Sequence, residues 1–260
     1  AMRHAVFPGG ARVRPQLCLA VAGACGDRNV DLAASAGAAI ELFHCASLVH
    51  DDLPCFDAAD TRRGRASVHA AFGEPLAVLA GDGLIVLGFE TLAQSGESAP
   101  ARFAKLFAIL AGAVGAPRGI VAGQAWESEN HVNLRQYQRA KTGALFVAAT
   151  MMGAVASGAE PQGWRTLGDR MGEAYQVADD IRDVAESAAA MGKPQGQDAA
   201  HDRPNTAREL GLGGALDLLD ALLADAAASI PDCEGAEALR NLVSMQAARL
   251  TPKHLVRHSV

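Results

Sequence analysis

The side chains best placed to do chemistry are two groups of aspartates. In Gln176-Val177-Ala178-Asp179-Asp180-Ile181-Arg182-Asp183, positions 176, 179/180 and 183 recur at helical spacing and share a face. Asp179 and Asp183 stack roughly 6 Å apart along the axis. Unpaired, they repel on an otherwise apolar helix, and a bound cation removes that penalty. The plainer alternative is a solvated acidic face with Arg182 as partial partner. The other group is Asp51-Asp52-Leu53-Pro54-Cys55-Phe56-Asp57. On a straight helix Asp51 and Asp57 would lie about 120° apart, but Pro54 predicts a distortion that folds Asp57 back toward Asp51. Arg62-Arg63-Gly64 follows, with guanidiniums suited to gripping phosphate oxygens in bidentate fashion. Six carboxylates without a Cys/His ligand set suit Mg²⁺ better than zinc.

Further cations lie elsewhere. Gly9-Gly10-Ala11-Arg12-Val13-Arg14-Pro15 could hold a second phosphate group or be a basic loop before a helix. Lys141-Thr142 heads an apolar helix, where a lysine is costly without an anionic partner. Lys193 and Arg203 sit in a Gly/Pro-rich loop after the second cluster, where snorkelling is the bland reading of each. His50-Asp51 also reads as the HD pair of a metal phosphohydrolase, but that leaves the second cluster unexplained.

The elements that must position these groups are helices. Helical periodicity covers residues 36–49, 76–92, 102–123 (broken at Pro117), 137–158, 164–184, 215–230 and 234–250. Gly/Pro/Asp clusters at 58–64, 95–100, 158–163 and 191–204 separate them. No sustained two-residue alternation predicts a sheet. The expected fold class is all-α, a single domain over 1–260.

Half of the 260 residues are apolar, with few aromatics and much Ala, Leu and Gly, which suits close helix packing. A formal charge of −6 argues against nucleic acid or an anionic membrane as partner, yet it is compatible with phosphate substrates bridged by a divalent cation. The five cysteines are scattered without a CxxC pair, as expected for free thiols in a reducing compartment. No signal peptide is visible and no uninterrupted apolar run reaches the length of a membrane span, the nearest being 106–117 and 144–159. A soluble cytoplasmic protein is the expectation.

Together these segments resemble the trans-isoprenyl diphosphate synthases, the polyprenyl synthetase family. Residues 41–57 through Arg62-Arg63-Gly64 are similar to its first aspartate-rich motif, and Gly172 to Asp183 to its second. Gly9 to Pro15 resembles its glycine/arginine entry motif, and Lys141-Thr142 and Gly192-Lys193 its lysine positions. The resemblance runs from about residue 5 to about residue 255, and five motifs in order make it specific.

It implies an isoprenoid-synthase-type helical bundle around a central cavity. Asp51, Asp57 and Asp179 would bind several Mg²⁺ ions directly, which Mn²⁺ can replace, with Asp52, Asp180 and Asp183 helping. Asp183 is also carried as a candidate ligand. Arg62, Lys141 and Lys193, with Arg203 nearby, would hold an allylic diphosphate; Arg14, His44 and Arg63 would hold isopentenyl diphosphate. Thr142 and Gln176 would present oxygens to the developing cation. The implied enzyme is a Mg²⁺-dependent homodimeric prenyltransferase with released diphosphate as proton acceptor. Small Ala46 and Ser47, five and four residues before Asp51, would let the chain grow to C20, as in bacterial geranylgeranyl diphosphate synthases of carotenoid and bacteriochlorophyll pathways. The alternatives are a farnesyl (C15) synthase, with a floor formed by Phe72 or Phe89, a non-catalytic regulatory subunit, and a cyclase on the same fold. Two positions and one missing segment depart from the family pattern. Ala11 replaces the entry-motif lysine, which Arg12 could replace, an N-terminal helix is expected to lie outside this chain, and Arg182 stands where an apolar residue is usual.

Overall fold

The computed structural model describes residues 1–7, 9–26, 29–129, 133–189 and 205–250. Lys193 and Arg203 lie outside them. Twelve helices are described: α1 (Met2–Val6), α2 (Val13–Ala24), α3 (Val30–Asp51), α4 (Val68–Phe72), α5 (Glu74–Gly96), α6 (Pro100–Val114), α7 (Ile120–Trp126), α8 (Leu134–Gln138), α9 (Ala144–Ser157), α10 (Arg165–Ala189), α11 (Thr206–Ala228) and α12 (Ala236–Leu250). A π-helical turn, Arg139–Gly143, joins α8 to α9.

The bundle is organised around α9, in which every residue from Leu145 to Ala156 is buried. A helix apolar on all sides is stable only in a protein interior or in a membrane, and here it is buried in the bundle. It packs against α2, α3, α6 and α10. Glycine makes two of these approaches possible: a side chain at Gly153 would strike the Cys18 carbonyl of α2, and one at Gly168 of α10 would meet Val147 Cα at 2.5 Å. Asn29 caps α3 by accepting from the Leu32 N–H. Beyond it, α3 lies along α5, with Phe43 edge-on to Phe89 at 4.9 Å and its ring over Gly88. Burying such a ring contributes about 1.5–3 kcal/mol.

The all-α expectation holds, with two local differences. Thr61–Arg62 and Arg65–Ala66 form a two-stranded antiparallel ladder, β1 and β2, where no sheet was expected. Its loop, Arg63-Gly64, has positive φ at both residues, the conformation a two-residue hairpin requires; strands this short leave no alternation to read. The second difference concerns apolar length. Val30–Asp51, Glu74–Gly96 and Gln136–Ser157 are each long and apolar enough to cross a membrane by length and composition, contrary to the sequence expectation. Isolated charges interrupt the apolar runs without lowering the average enough to exclude them. In the bundle 61% and 78% of the first and third windows are buried, against 33% for Glu74–Gly96.

Candidate active site

The first aspartate cluster sits where α3 ends. Asp51 is the last residue of the helix, and the chain then turns so that the Asp57 N–H donates to the Asp51 carbonyl at 2.9 Å. Ala58, with φ 49°, donates to the Leu53 carbonyl and completes the reversal. Asp57 therefore folds back beside Asp51, as Pro54 led one to expect. Asp52, 2% exposed, points elsewhere: Arg62 of β1 grips it by donating from Nε at 2.9 Å and from Nη2. Burial lowers the Arg62 pKa, but the Asp52 hydrogen bond and charge outweigh it, so the net shift is upward.

The second cluster divides in the same manner. Asp180, 3% exposed, accepts from Gln176 Nε2 at 3.1 Å and from the Thr206 N–H at the start of α11 at 2.9 Å. Asp179 is partly exposed and paired with Arg182; Asp183 is exposed. In each cluster one buried carboxylate is committed to the scaffold while the others lie nearer the surface.

The π turn connects the two clusters through neighbouring residues. Lys141 Nζ lies 3.4 Å from Asp51 Oδ1 and 2.6 Å from Glu127 Oε1, and Thr142 Oγ1 donates to Gln176 Oε1 at 3.1 Å. Widening the helix by one residue at this turn lets adjacent side chains reach different neighbours. Close packing of α7 requires Gly123, because a side chain there would meet the Lys141 backbone at 2.5 Å. Glu127, just beyond α7, also accepts from the Tyr137 hydroxyl. Glu127 was not identified from sequence, and only its place after an apolar helix could have signalled it. Neighbouring Gln124 has a buried amide nitrogen without a hydrogen-bond partner.

Beside the acidic clusters is a group of cationic side chains. Arg14 of α2 stacks over the Phe146 ring at 4.5 Å and faces Tyr175 at 5.8 Å, and its Nε is buried without a hydrogen-bond partner. Burial lowers the Arg14 pKa, although the guanidinium stays charged. Arg63, held at φ 54°, brings its guanidinium against Gly10, where a side chain would meet Cζ at 2.6 Å. Burial first, and then the charges of Arg14, Arg63, Arg62 and Arg12, push the His44 pKa well down, so the imidazole is neutral. Arg12 is committed to Glu41 and the Val6 carbonyl, so it does not stand free to replace the lysine missing at Ala11.

One alternative is removed by position and one sequence reading is corrected. His50 faces Gly81 and Asp82 of α5, which excludes the HD ligand reading. Ala46 does not point down the interior with Asp51: it is 2% exposed and packs with Ala77, Ala80 and Leu84 of α5. Ser47, four residues before Asp51, shares its side of α3 and is half-buried.

The donor set fits a divalent cation. Asp51 Oδ1 is buried with the Lys141 ammonium 3.4 Å away and no closer hydrogen-bond partner, and burial raises the Asp51 pKa, with Lys141 opposing and Asp57 and Glu127 reinforcing the rise. A hard cation would satisfy such an oxygen. Among the described residues no three His/Cys/Asp/Glu side chains converge on one point.

An all-helical bundle with two aspartate clusters joined through one π turn defines a helical isoprenoid synthase. Its solved structural relatives agree. A Helicobacter pylori geranyltransferase complexed with magnesium and isoprenyl diphosphate superposes with TM-score 0.81 at 29% identity, over 95% of this chain and 87% of that one. A Zymomonas mobilis FPP/GFPP synthase gives 0.79 at 32% identity, over 95% and 86%. Residues 1–209 match the polyprenyl synthetase family, and the chain belongs to it. It is 55% identical to a geranylgeranyl diphosphate synthase of Cereibacter sphaeroides over 252 residues, 97% of this chain and 88% of that protein. Identity to the Rhodobacter capsulatus geranylgeranyl diphosphate synthase is 54% over 250 residues, 96% and 86% of the two chains. The chain is a trans-prenyltransferase.

Proposed function

We propose that this chain extends an allylic diphosphate with isopentenyl diphosphate to C20 geranylgeranyl diphosphate, with Mg²⁺ held by Asp51, Asp57, Asp179 and Asp183. The observation that carries this reading is the pairing of acidic clusters with a separate cluster of cationic side chains. One side suits a diphosphate that arrives with metal, and the other, of Arg14, Arg63 and neutral His44, suits one bound without it. A cyclase needs only the first. Bound Mg²⁺ would neutralise the charge that develops on the leaving diphosphate. Lys141 adds positive charge at the same end, while Thr142 and Gln176 would present oxygens to the developing cation. The apolar interior excludes water from the carbocation. Arg63→Ala and His44→Ala should raise the KM for isopentenyl diphosphate about tenfold or more with a smaller change in kcat. An effect confined to the allylic substrate would show that the two sites are exchanged.

Product length gives the second test. Ser47→Phe should shift dephosphorylated products, made from farnesyl and geranyl diphosphates, from C20 toward C15. Ala46→Tyr should instead overpack the α3–α5 seam and cost about 1–3 kcal/mol of stability. Wild-type enzyme that stops at C15 would refute the C20 assignment.

The same reading includes a homodimer in the cytoplasm. Leu76, Leu79 and Val86 form an exposed stripe on α5, an area that a second copy would cover, and all five cysteines are free thiols. Light scattering that finds a monomer would remove the dimer.

A further inference from the structure

A cavity of about 660 Å³ lies outside the site described above, between α6, the π turn, α9 and the start of α10. That size is within the range of small-molecule pockets. Its floor is apolar, made by Ile109 and Ala113 of α6 and by Val147 and Met151 of α9, with Trp126 at one side. Arg118, Arg139 and Arg165 also line it, opposed by the single carboxylate of Asp169. Arg139 pairs with Asp169 at 3.3 Å, and neither Arg118 nor Arg165 makes an ion pair among the described residues. On a chain of formal charge −6, two uncommitted guanidiniums at an apolar cavity are a local reversal of sign.

We propose that this cavity is a second binding site that takes a single-chain aliphatic phosphate, its head on Arg118 and Arg165 and its chain along the α6–α9 floor. Apolar burial and charge-assisted hydrogen bonds recognise the two ends of such a molecule. The site is distinct from the aspartate clusters, because the π turn presents Arg139 and Ala140 to the cavity and Lys141 to Asp51.

Trp126 supplies the readout, since the other tryptophan, Trp164, is 3% exposed and does not line the cavity. The probe is 12-bromododecyl phosphate in Mg²⁺-free buffer, whose bromine quenches indole fluorescence at short range. Saturable quenching is expected, and it should be lost in Trp126→Phe and in Gly112→Leu. Gly112 lines the cavity and a Cβ there meets nothing within 4 Å, so the substitution introduces a side chain at the cavity wall without a clash at its first atom. Arg118→Glu combined with Arg165→Glu should weaken binding at least tenfold, and uncharged 12-bromododecanol should bind at least tenfold more weakly than the phosphate. Asp51→Asn should leave the titration unchanged. Competition by lysophosphatidate or by geranylgeranyl monophosphate then tells an acyl from a prenyl source. Quenching that survives Gly112→Leu and the double arginine variant, or that the alcohol matches, would overturn the proposal.

Discussion

Replacing Asp51 with asparagine should lower prenyl-transfer turnover by about 10²–10⁴-fold while leaving the helical circular dichroism intact, and Asp179→Asn should do likewise. Each change removes one anionic oxygen without altering shape. Asp51 also gives an independent readout through stability. Its pKa is raised in the folded protein, chiefly by burial, so the fold disfavours the carboxylate. The folded state then binds the proton more tightly than the unfolded chain, whose reference value is 3.8. Above that value ionised Asp51 increasingly costs stability as pH rises toward the folded pKa, and the full cost is present beyond it. Metal-free Asp51→Asn should therefore melt higher than wild type at neutral pH, with the difference closing toward pH 3.8. Near-normal turnover in both variants would remove the metal assignment. A lower melting temperature in Asp51→Asn would show that the Lys141 contact outweighs burial.

Lys141→Met should be the next most damaging change, costing about 10²–10³-fold in kcat, the range seen when one preorganised group facing developing charge is removed. The lysine bridges two carboxylates from different segments, Asp51 on α3 and Glu127 after α7, and offsets their mutual repulsion. Without it those carboxylates face each other uncompensated and the diphosphate loses a cation. The loss should fall on kcat, in contrast with the KM effect expected of Arg63→Ala. Lys141→Arg should recover part of the rate if charge is what matters. If Lys141→Met moved only the KM for isopentenyl diphosphate, the lysine would belong to the cationic cluster.

Local sequence was informative wherever a group's role depends on its immediate neighbours. The turn that returns Asp57 to Asp51 follows from Pro54, and the break between α6 and α7 falls at Pro117, as the missing N–H and fixed φ of proline require. The β-hairpin was missed because its strands are two residues long, although the Arg63-Gly64 pair carried a turn signal. Ala46 was misplaced because helical spacing ranks residues by angle but does not say which neighbouring helix lies at each angle.

The sequence by itself determined the all-α class, the two aspartate clusters and the presence of separate cationic segments, because periodicity, proline and charge act over a few residues. Tertiary structure alone decided which carboxylates serve the scaffold: Asp52 is spent on Arg62 and Asp180 on α11, while Asp51 keeps a buried oxygen that faces the Lys141 ammonium. It also brought in Glu127, and it assembled four arginines around His44 from segments up to fifty-one residues apart. Such groupings depend on helix crossings, and those are set by the burial of α9 and by the glycines that let its neighbours approach, a property of the whole packed interior and of no single segment.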